Sequence, residues 1–207
     1  MNLFKEAIED YSLALKLNPD NAFAFYNRGI SHEKNNDLSK AIPDFDLAIN
    51  LDPYQADFYY NRGFTFKKMN MLDKAIMDFS QCLLLKPDHH KSLYNRGLCY
   101  EKKGEFLLAE EDFKFGCQLG QNISIFLINL ATLKLKQEDF EKALNYIGNA
   151  ISEDPKNSSV FNIRGMIHEK MQNNKKALDD FNQAIQLNGN NATYFYNRGC
   201  LYKTINE

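Results

Sequence analysis

The chain has 207 residues, of which 44% are hydrophobic and 25% are charged, and its formal net charge is -2. This composition is typical of a globular or repeat protein with a sizeable core, and it gives no reason to expect nucleic-acid binding. No apolar run approaches the ~20 residues that cross a bilayer, so membrane insertion is not expected. The start, "MNLFKEAIED", does not resemble a signal peptide, and the four cysteines show no C-x-x-C spacing. We therefore expect reduced thiols and a cytoplasmic, non-secreted protein.

Small residues recur along the chain at a constant interval. The step is 34 residues (63 minus 29, 97 minus 63), and Ala131 takes the one missing place in the series Gly29, Gly63, Gly97, Gly165 and Gly199. Twelve residues beyond each site stands an alanine, at Ala41, Ala75, Ala109, Ala143 and Ala177. A large apolar residue follows four positions later, at Phe45, Phe79, Phe113, Ile147 and Phe181. A fixed period of this size predicts stacked supersecondary units.

In chain order, the period predicts one helix, five helix pairs and one further helix. Residues 1–21 match only the second helix of a unit, which we call helix B. Each complete unit is a helix A, a short turn and an antiparallel helix B, over 22–55, 56–89, 90–123, 124–157 and 158–191. Residues 192–207 match only helix A. The sequence thus predicts a single all-α array of about twelve helices.

Helix A carries a large residue and, seven positions later, a second packing residue. The first slot holds Phe25, Tyr59, Leu93, Leu127, Phe161 and Phe195, and the second holds His32, Phe66, Tyr100, Lys134, His168 and Tyr202. Over essentially the whole chain this pattern resembles the tetratricopeptide repeat family. The resemblance implies a right-handed superhelical solenoid whose helix A faces line a concave, protein-binding surface. Because Gln121 stands where the family has proline, we expect the junction near 116–123 to be the least regular.

The repeated glycine needs a packing explanation. Glycine inside a helix costs about 1 kcal/mol relative to alanine. Each helix A glycine is therefore expected to let helix B approach closely, with the alanine twelve residues later as the facing surface.

An arginine precedes each of the five glycines, and an aspartate follows four of these arginines at a distance of 16 residues. In the fourth unit the same two columns hold Leu130 and Tyr146, so both charges are absent together. We therefore expect a structural, bidentate ion pair between helix A and helix B. The predicted pairs are Arg28–Asp44, Arg62–Asp78, Arg96–Asp112 and Arg164–Asp180.

One face of helix A carries three rows of side chains. Asparagine stands two residues before the small site at Asn27, Asn61, Asn95, Asn129 and Asn197, and Ile163 is the exception. Lysine follows seven residues after the asparagine site, at Lys34, Lys68, Lys102, Lys136 and Lys170. Residues seven apart share a helix face. The row between them is largely apolar and includes Ile30, Phe64 and Leu98.

These rows suit an extended peptide, because a carboxamide both donates and accepts hydrogen bonds. The arrangement is similar to the asparagine ladder of the O-linked N-acetylglucosamine transferase repeats, which implies backbone recognition by the asparagine row. Tyr26, Tyr60 and Tyr94 are expected in the groove wall, and the lysine row is expected to favour acidic ligands. Two alternatives stay open. The lysines could be solvated residues favoured by the helix dipole, and the asparagines could bridge to a neighbouring repeat.

The sequence lacks the residues that several other kinds of functional site require. The carboxylate clamp that holds chaperone tails needs a lysine three before the small site and an asparagine just after it, and these columns hold residues such as Tyr60 and Phe64. His89 and His90 have no neighbouring ligand set, so no metal is expected. No phosphate loop and no nucleophile paired with a base is recognisable, so we expect no cofactor and no enzyme activity.

The two ends present apolar half repeats, although solenoid ends normally carry polar caps. Either the chain is a fragment of a longer array, or copies associate head to tail. Three functions follow. The first is a peptide-recognition module using the helix A groove. The second is a scaffold or assembly element using the ends and the convex helix B face. The third is a substrate-delivery array of a larger protein.

Overall fold

The structure, a computed structural model, describes residues 3–206. Over these residues the chain forms twelve α-helices and no strands, which confirms the all-α prediction. In chain order the helices are α1 (Phe4–Leu17), α2 (Ala22–Lys34), α3 (Leu38–Leu51), α4 (Ala56–Lys68), α5 (Leu72–Leu85), α6 (His90–Lys103), α7 (Phe106–Gln118), α8 (Ile123–Lys136), α9 (Phe140–Glu153), α10 (Ser158–Lys170), α11 (Asn174–Leu187) and α12 (Ala192–Asn206). The even-numbered helices are A helices and the odd-numbered ones are B helices. Within the described range, no helix has both the length and the apolar character needed to span a membrane.

The helices are grouped into two compact units, one ending at Ala109 and the other beginning at Glu110. In the first unit α2 packs on α3 and α4 packs on α5. In addition, α1 packs on α2 and α6 packs on α5. In the second unit α8 packs on α9 and α10 packs on α11, and α12 lies against α11. The boundary between the two units lies within α7.

The repeated helix B residues form the core of each unit. The alanine and large-residue columns are fully buried, at Ala41, Phe45, Ala75, Phe79, Ala109, Phe113, Ala143, Ile147, Ala177 and Phe181. Burying a side chain such as Phe contributes roughly 1.5–3 kcal/mol. The period therefore marks the residues that hold each helix pair together.

At two of the helix A glycines the nearest group is an aromatic ring of helix B, not the alanine expected there. A Cβ placed on Gly29 would lie 2.8 Å from the ring of Phe45, and one on Gly165 would lie 2.7 Å from Phe181. The small residue thus accommodates the ring sixteen positions later. The alanine twelve positions later is fully buried as well.

The turn between helix A and helix B has a left-handed residue at one repeating position. This column comprises Asn36, Asn70, Gly104, Glu138 and Gln172, with φ between 58° and 81°. Asparagine and glycine adopt this conformation readily, whereas other L-residues are strained in it. The junction after α7 also has two left-handed residues, Gly120 and Asn122, in the stretch expected to be irregular.

Candidate functional site on the A helices

Arginine and aspartate are paired between helix A and helix B in both units. Arg28 donates from Nε and Nη2 to the two carboxylate oxygens of Asp44, at 2.9 and 2.6 Å. Arg164 donates to Asp180 at 2.7 Å from Nη2 and at 3.0 Å from Nε. Both aspartates are buried. This bidentate geometry is the strong form of the interaction and orients the guanidinium within its repeat.

Four of the five arginines also have a partner on the preceding helix B, which sequence reasoning missed; at the fifth, Arg164, the equivalent position holds Gly148. Arg62 donates to Asp78 with Nε and Nη2 at 2.8 and 2.7 Å, and its Nη1 donates to Asp46 at 2.7 Å. Burial by itself would lower the pKa of Arg62, but the bonds to both carboxylates outweigh it and raise that pKa. Three other arginines donate in the same way to a polar side chain 16 positions earlier. The pairs are Arg28 with Ser12, Arg96 with Ser80 and Arg198 with Asn182.

Tyrosine and asparagine link neighbouring A helices. The Nδ2 of Asn61 on α4 donates to the Tyr26 hydroxyl on α2 at 2.9 Å, and also to the Asp57 carbonyl at 2.9 Å. Both donors of this amide are therefore used inside the chain. Burial, followed by the charges of Asp57 and Tyr60, raises the pKa of Tyr26 to about 12, so the hydroxyl stays protonated.

The next asparagine is engaged in the same way and is more deeply buried. Asn95 is 5% exposed and hydrogen-bonds to the side chain of Tyr60, 35 residues earlier. Its Nδ2 donates to the Lys91 carbonyl at 2.8 Å, and its oxygen accepts from Lys67 Nζ at 2.7 Å. Burial lowers the pKa of Lys67. This amide has little capacity left for a ligand.

In the second unit the same offset of 35 residues recurs. Asn197 Nδ2 donates to Asn162 Oδ1 at 2.9 Å, with Asn162 in the tyrosine column. The exception at Ile163 is matched by Ile128, also 35 residues earlier, and both pack on one apolar cluster. These contacts between neighbouring A helices join residues 35 positions apart. A comparison of each residue with the one 35 positions earlier in the sequence would have revealed them.

The remaining asparagines are less engaged. Asn129 donates one hydrogen bond, from Nδ2 to the Ile125 carbonyl of its own helix at 2.7 Å. The Asn27 side chain has no hydrogen-bond partner among residues 3–206. The asparagine row therefore divides into members that join repeats and members that stay open to a ligand.

The lysine row lies at the ends of the A helices and is exposed throughout. Lys68 Nζ contacts Glu33 Oε1, and Lys34 Nζ lies 3.5 Å from Glu33 Oε2. The Glu33 side chain is only 6% exposed, so two of the lysines partly neutralise one buried carboxylate. Lys102, Lys136 and Lys170 hold the same exposed position in later repeats.

An aromatic ring lies beside these cations in the first unit. The Phe64 ring is half-buried and stacks with Tyr60 at a centroid distance of 6.2 Å. The ammonium groups of Lys67 and Lys68 lie over the Phe64 ring, 6.0 and 5.4 Å from its centroid. The predicted wall residue Tyr94 is also half-buried. An apolar surface edged by positive charge is therefore present on α4.

Arg96 and Asp112, predicted to form an ion pair, belong to different units. Arg96 donates to Ser80 Oγ at 2.9 Å in the first unit, and Asp112 is buried in the second.

Over the described part of the chain, no group of three or more His, Cys, Asp or Glu side chains could hold a metal ion.

Family models for the tetratricopeptide repeat match almost the whole chain. One described as a TPR repeat matches residues 2–36, and others described as tetratricopeptide repeats match residues 56–89, residues 128–192, and residues 24–55 with 90–114. No curated protein matches the chain by sequence.

Several solved structures are similar in fold to this chain. A tetratricopeptide repeat protein from Parabacteroides merdae is 21% identical with a TM-score of 0.84, covering 99% of this chain and 81% of that one. PilW, a type IV pilus biogenesis factor, is 22% identical with a TM-score of 0.78, covering 92% and 88%. YrrB, described as a TPR protein with an unusual peptide-binding site, is 21% identical with a TM-score of 0.71, covering 91% and 97%.

The fold is that of protein-interaction modules, in which stacked helix pairs present extended binding surfaces. The models, the period and the helix pairs agree, and the chain belongs to the tetratricopeptide repeat family.

Proposed function

We propose that the chain is a non-catalytic module that binds an extended peptide segment of a protein partner along the exposed faces of its A helices. The observation that carries this proposal is the half-buried Phe64 ring with the ammonium groups of Lys67 and Lys68 above it. Such a surface offers apolar contact and positive charge together. It suits a segment in which acidic and apolar side chains alternate.

The apolar row gives this surface its length in the first unit. Ile30, Phe64 and Leu98 hold equivalent positions on α2, α4 and α6, and each is half-buried. A half-buried apolar residue leaves area for a ligand side chain, at roughly 25 cal/mol per Å² removed from water. Successive side chains of an extended peptide point to opposite faces, so alternate residues would reach this row.

Only some residues of the asparagine row have hydrogen-bonding groups left for a peptide. Asn61 has no donor left, but its oxygen can still accept a bond from a peptide N–H. Asn27 keeps both donor and acceptor capacity, and Asn129 keeps one N–H and its oxygen. Asn95 and Asn197 act mainly between repeats. Peptide backbone contacts are thus assigned to Asn27, Asn61 and Asn129.

The lysine row supports a preference for acidic segments. Lys34, Lys68 and Lys102 lie at the same end of α2, α4 and α6, with Glu33 between the first two. A ligand carboxylate would add a second partner to ammonium groups that already face solvent. Exposed charge pairs are screened by salt, so this preference should weaken as ionic strength rises. Lys136 and Lys170 extend the same chemistry to the second unit. The peptide-binding site named for YrrB is consistent with this use of the fold.

Peptide binding can be tested with immobilised random peptides of three classes: acidic–apolar, basic–apolar and uncharged. Affinity for the best acidic–apolar sequence is then measured by fluorescence anisotropy. Phe64→Ala with Lys102→Gln should weaken binding at least about tenfold, which corresponds to about 1.4 kcal/mol. The matched control is Phe115→Ala with Lys175→Gln, which makes the same changes at exposed positions on B helices. Equal binding of basic peptides, or an equal loss in the control, contradicts the proposal.

An assembly element that uses its ends is the second candidate function. The observation that favours it is the exposed apolar surface of α1 and α12, where Leu3, Phe4, Phe195 and Tyr202 are each more than 40% exposed.

A further inference from the structure

Arg164 on α10 is held firmly on one edge of its guanidinium and has no partner on the other. Its Nε and Nη2 donate to Asp180 of α11 at 3.0 and 2.7 Å, and the guanidinium lies over the Phe161 ring, 5.5 Å from the centroid. Because a guanidinium is planar and rigid, these contacts fix the direction of Nη1, which points away from Asp180. Nη1 has no hydrogen-bond partner among residues 3–206.

The missing partner corresponds to position 148 of α9, a helix that packs on α10. In the second repeat Arg62 donates from Nη1 to Asp46, 16 positions earlier, at 2.7 Å. The same offset from Arg164 leads to Gly148, which has no side chain to accept the bond. The Arg164 side chain is 33% exposed, compared with 19% for Arg62. One end of an oriented arginine is therefore left open inside a complete repeat.

Packing within the described residues gives no reason for glycine at position 148. A Cβ built on Gly148 would meet nothing within 4 Å, whereas one on Gly165 would lie 2.7 Å from the Phe181 ring. Gly148 lies in the interior of α9, where glycine is a poorer helix residue than alanine. Glycine also allows the chain of a ligand to approach a backbone closely. Close approach of a partner to α9 would explain the residue.

The cleft beside Arg164 indicates the charge of the ligand. It has a volume of about 310 Å³ and is lined by Arg164, His168, Lys176, Asp179 and Asp180. The two aspartates disfavour a phosphate dianion, whereas the exposed Lys176 favours a single negative charge. The arrangement at Arg62 shows that one guanidinium binds a carboxylate at Nε and Nη2 and a second carboxylate at Nη1. A carboxylate therefore suits the open end of Arg164.

We propose that Gly148 and Arg164 form a subsite for one aspartate or glutamate side chain of a partner protein that lies against α9. The partner's carboxylate accepts from Arg164 Nη1, as the Asp46 carboxylate accepts from Arg62. The absence of a Cβ at Gly148 lets the partner's chain approach α9, and Lys176 adds a second positive charge. None of these residues belongs to the asparagine, lysine or apolar rows, so the subsite is independent of peptide binding along the A helices.

The test follows the arginine Nε–H signals of the full chain by heteronuclear NMR at constant ionic strength. The probes are acetate, phosphate, and a capped glycine–alanine peptide with either one glutamate or one glutamine at its centre. The glutamate peptide should shift the Arg164 signal saturably and bind at least about tenfold more tightly than the glutamine peptide. The Arg62 signal should not respond, because Asp46 occupies its Nη1. Phosphate binding more tightly than the glutamate peptide, or acetate binding as tightly as that peptide, overturns the proposal of a partner's side chain.

Variants at position 148 test the geometry of the subsite. Gly148→Asp supplies a carboxylate from within the chain, so it should abolish the response of Arg164 to the glutamate peptide. It should also raise the Tm above that of Gly148→Ala, although alanine is the better helix former. Asn149→Asp adds the same charge at the next, exposed position of α9 and should leave the response intact. An absent or unsaturable shift at Arg164, an equal shift at Arg62, or an undiminished response in Gly148→Asp overturns the proposal.

Discussion

Asn61 Nδ2 donates to the Tyr26 hydroxyl at 2.9 Å across 35 residues, and this bond joins two consecutive A helices. Tyr60 and Asn95 repeat the relationship one unit later, and Asn162 and Asn197 repeat it with two amides. Where the chain has Ile128, it also has Ile163. In each of these pairs the two residues are either both polar or both apolar. These pairs therefore act as contacts that set the stacking of neighbouring repeats.

Removing the Asn61 amide should destabilise the fold. Asn61→Ala leaves the half-buried Tyr26 hydroxyl without its donor, so we expect a loss of about 1 kcal/mol in the free energy of unfolding. Urea denaturation followed by circular dichroism measures this loss. Asn27→Ala makes the same substitution in the same column where the side chain has no partner, and it should change stability by less than about 0.5 kcal/mol. Equal effects of the two variants would show that the bond to Tyr26 contributes nothing.

The ion pair between Arg62 and Asp78 should show strong coupling in a double-mutant cycle. Each of Arg62→Leu and Asp78→Ala leaves a buried or half-buried charge without its partner, so each should lower the free energy of unfolding by about 2–3 kcal/mol. The double variant should lose clearly less than the sum, measured by urea denaturation. Asp46→Ala removes the third member, whose side chain is 48% exposed, and should cost less than about 1 kcal/mol. Additive losses would contradict the pairing.

Relief of backbone strain should stabilise the second unit. Glu138 is exposed and has φ of 58° in the left-handed column that also contains Gly104. Glu138→Gly should raise the free energy of unfolding by about 0.5 kcal/mol, because glycine adopts this conformation without a Cβ clash. Differential scanning calorimetry would register the change as a higher Tm. The control is Glu141→Gly on α9, which should lower stability by about 1 kcal/mol since its backbone is helical.

Stability should fall on acidification, partly because of His168. Burial lowers the pKa of His168, and Lys176 and Arg164 oppose its protonation, while Asp180 at 4.0 Å offsets part of this effect. In the unfolded chain the pKa of this imidazole is about 6.5. The stabilising contribution is therefore present above that pH. It is lost as the pH falls towards the lower folded-state pKa, where the unfolded state binds the proton first.

Substituting His168 should reduce this pH dependence. His168→Phe removes the titrating group and places phenylalanine in the column that Phe66 occupies. Between about pH 7.5 and about pH 5.5 the variant should lose less free energy of unfolding than the wild type. Urea denaturation at both values measures the two differences. An identical loss in both proteins would mean that His168 does not contribute.

The fold class and the partners within one repeat could be predicted from the sequence. Arg28 recurs with Asp44 because a buried charge needs a partner, and both lie inside one helix pair, so the 34-residue period shows this relationship directly. The period also shows that Gly29 and Phe45 recur together, but not that the Phe45 ring lies closer to the glycine than Ala41 does. The twelve helices of the described range follow from the same period.

The use of the asparagine row could not be predicted in this way. Helical periodicity places Asn61 and Lys68 on one face but does not say whether that face is open to a ligand or occupied by the next repeat. The bond to Tyr26 and the contact of Lys68 with Glu33 both cross between repeats. Their existence depends on how closely adjacent A helices stack, which is a property of packing.

The sequence by itself determined that this protein is an all-α array of helix pairs with buried arginine–aspartate couples, because those contacts repeat at intervals that one helix pair can satisfy. Only the tertiary structure decided which polar groups of the A helices are shared between repeats and which stay open, as Asn27 does. The physical reason is that each amide has few donors and acceptors, and stacking brings a neighbour's tyrosine, lysine or amide close enough to use them.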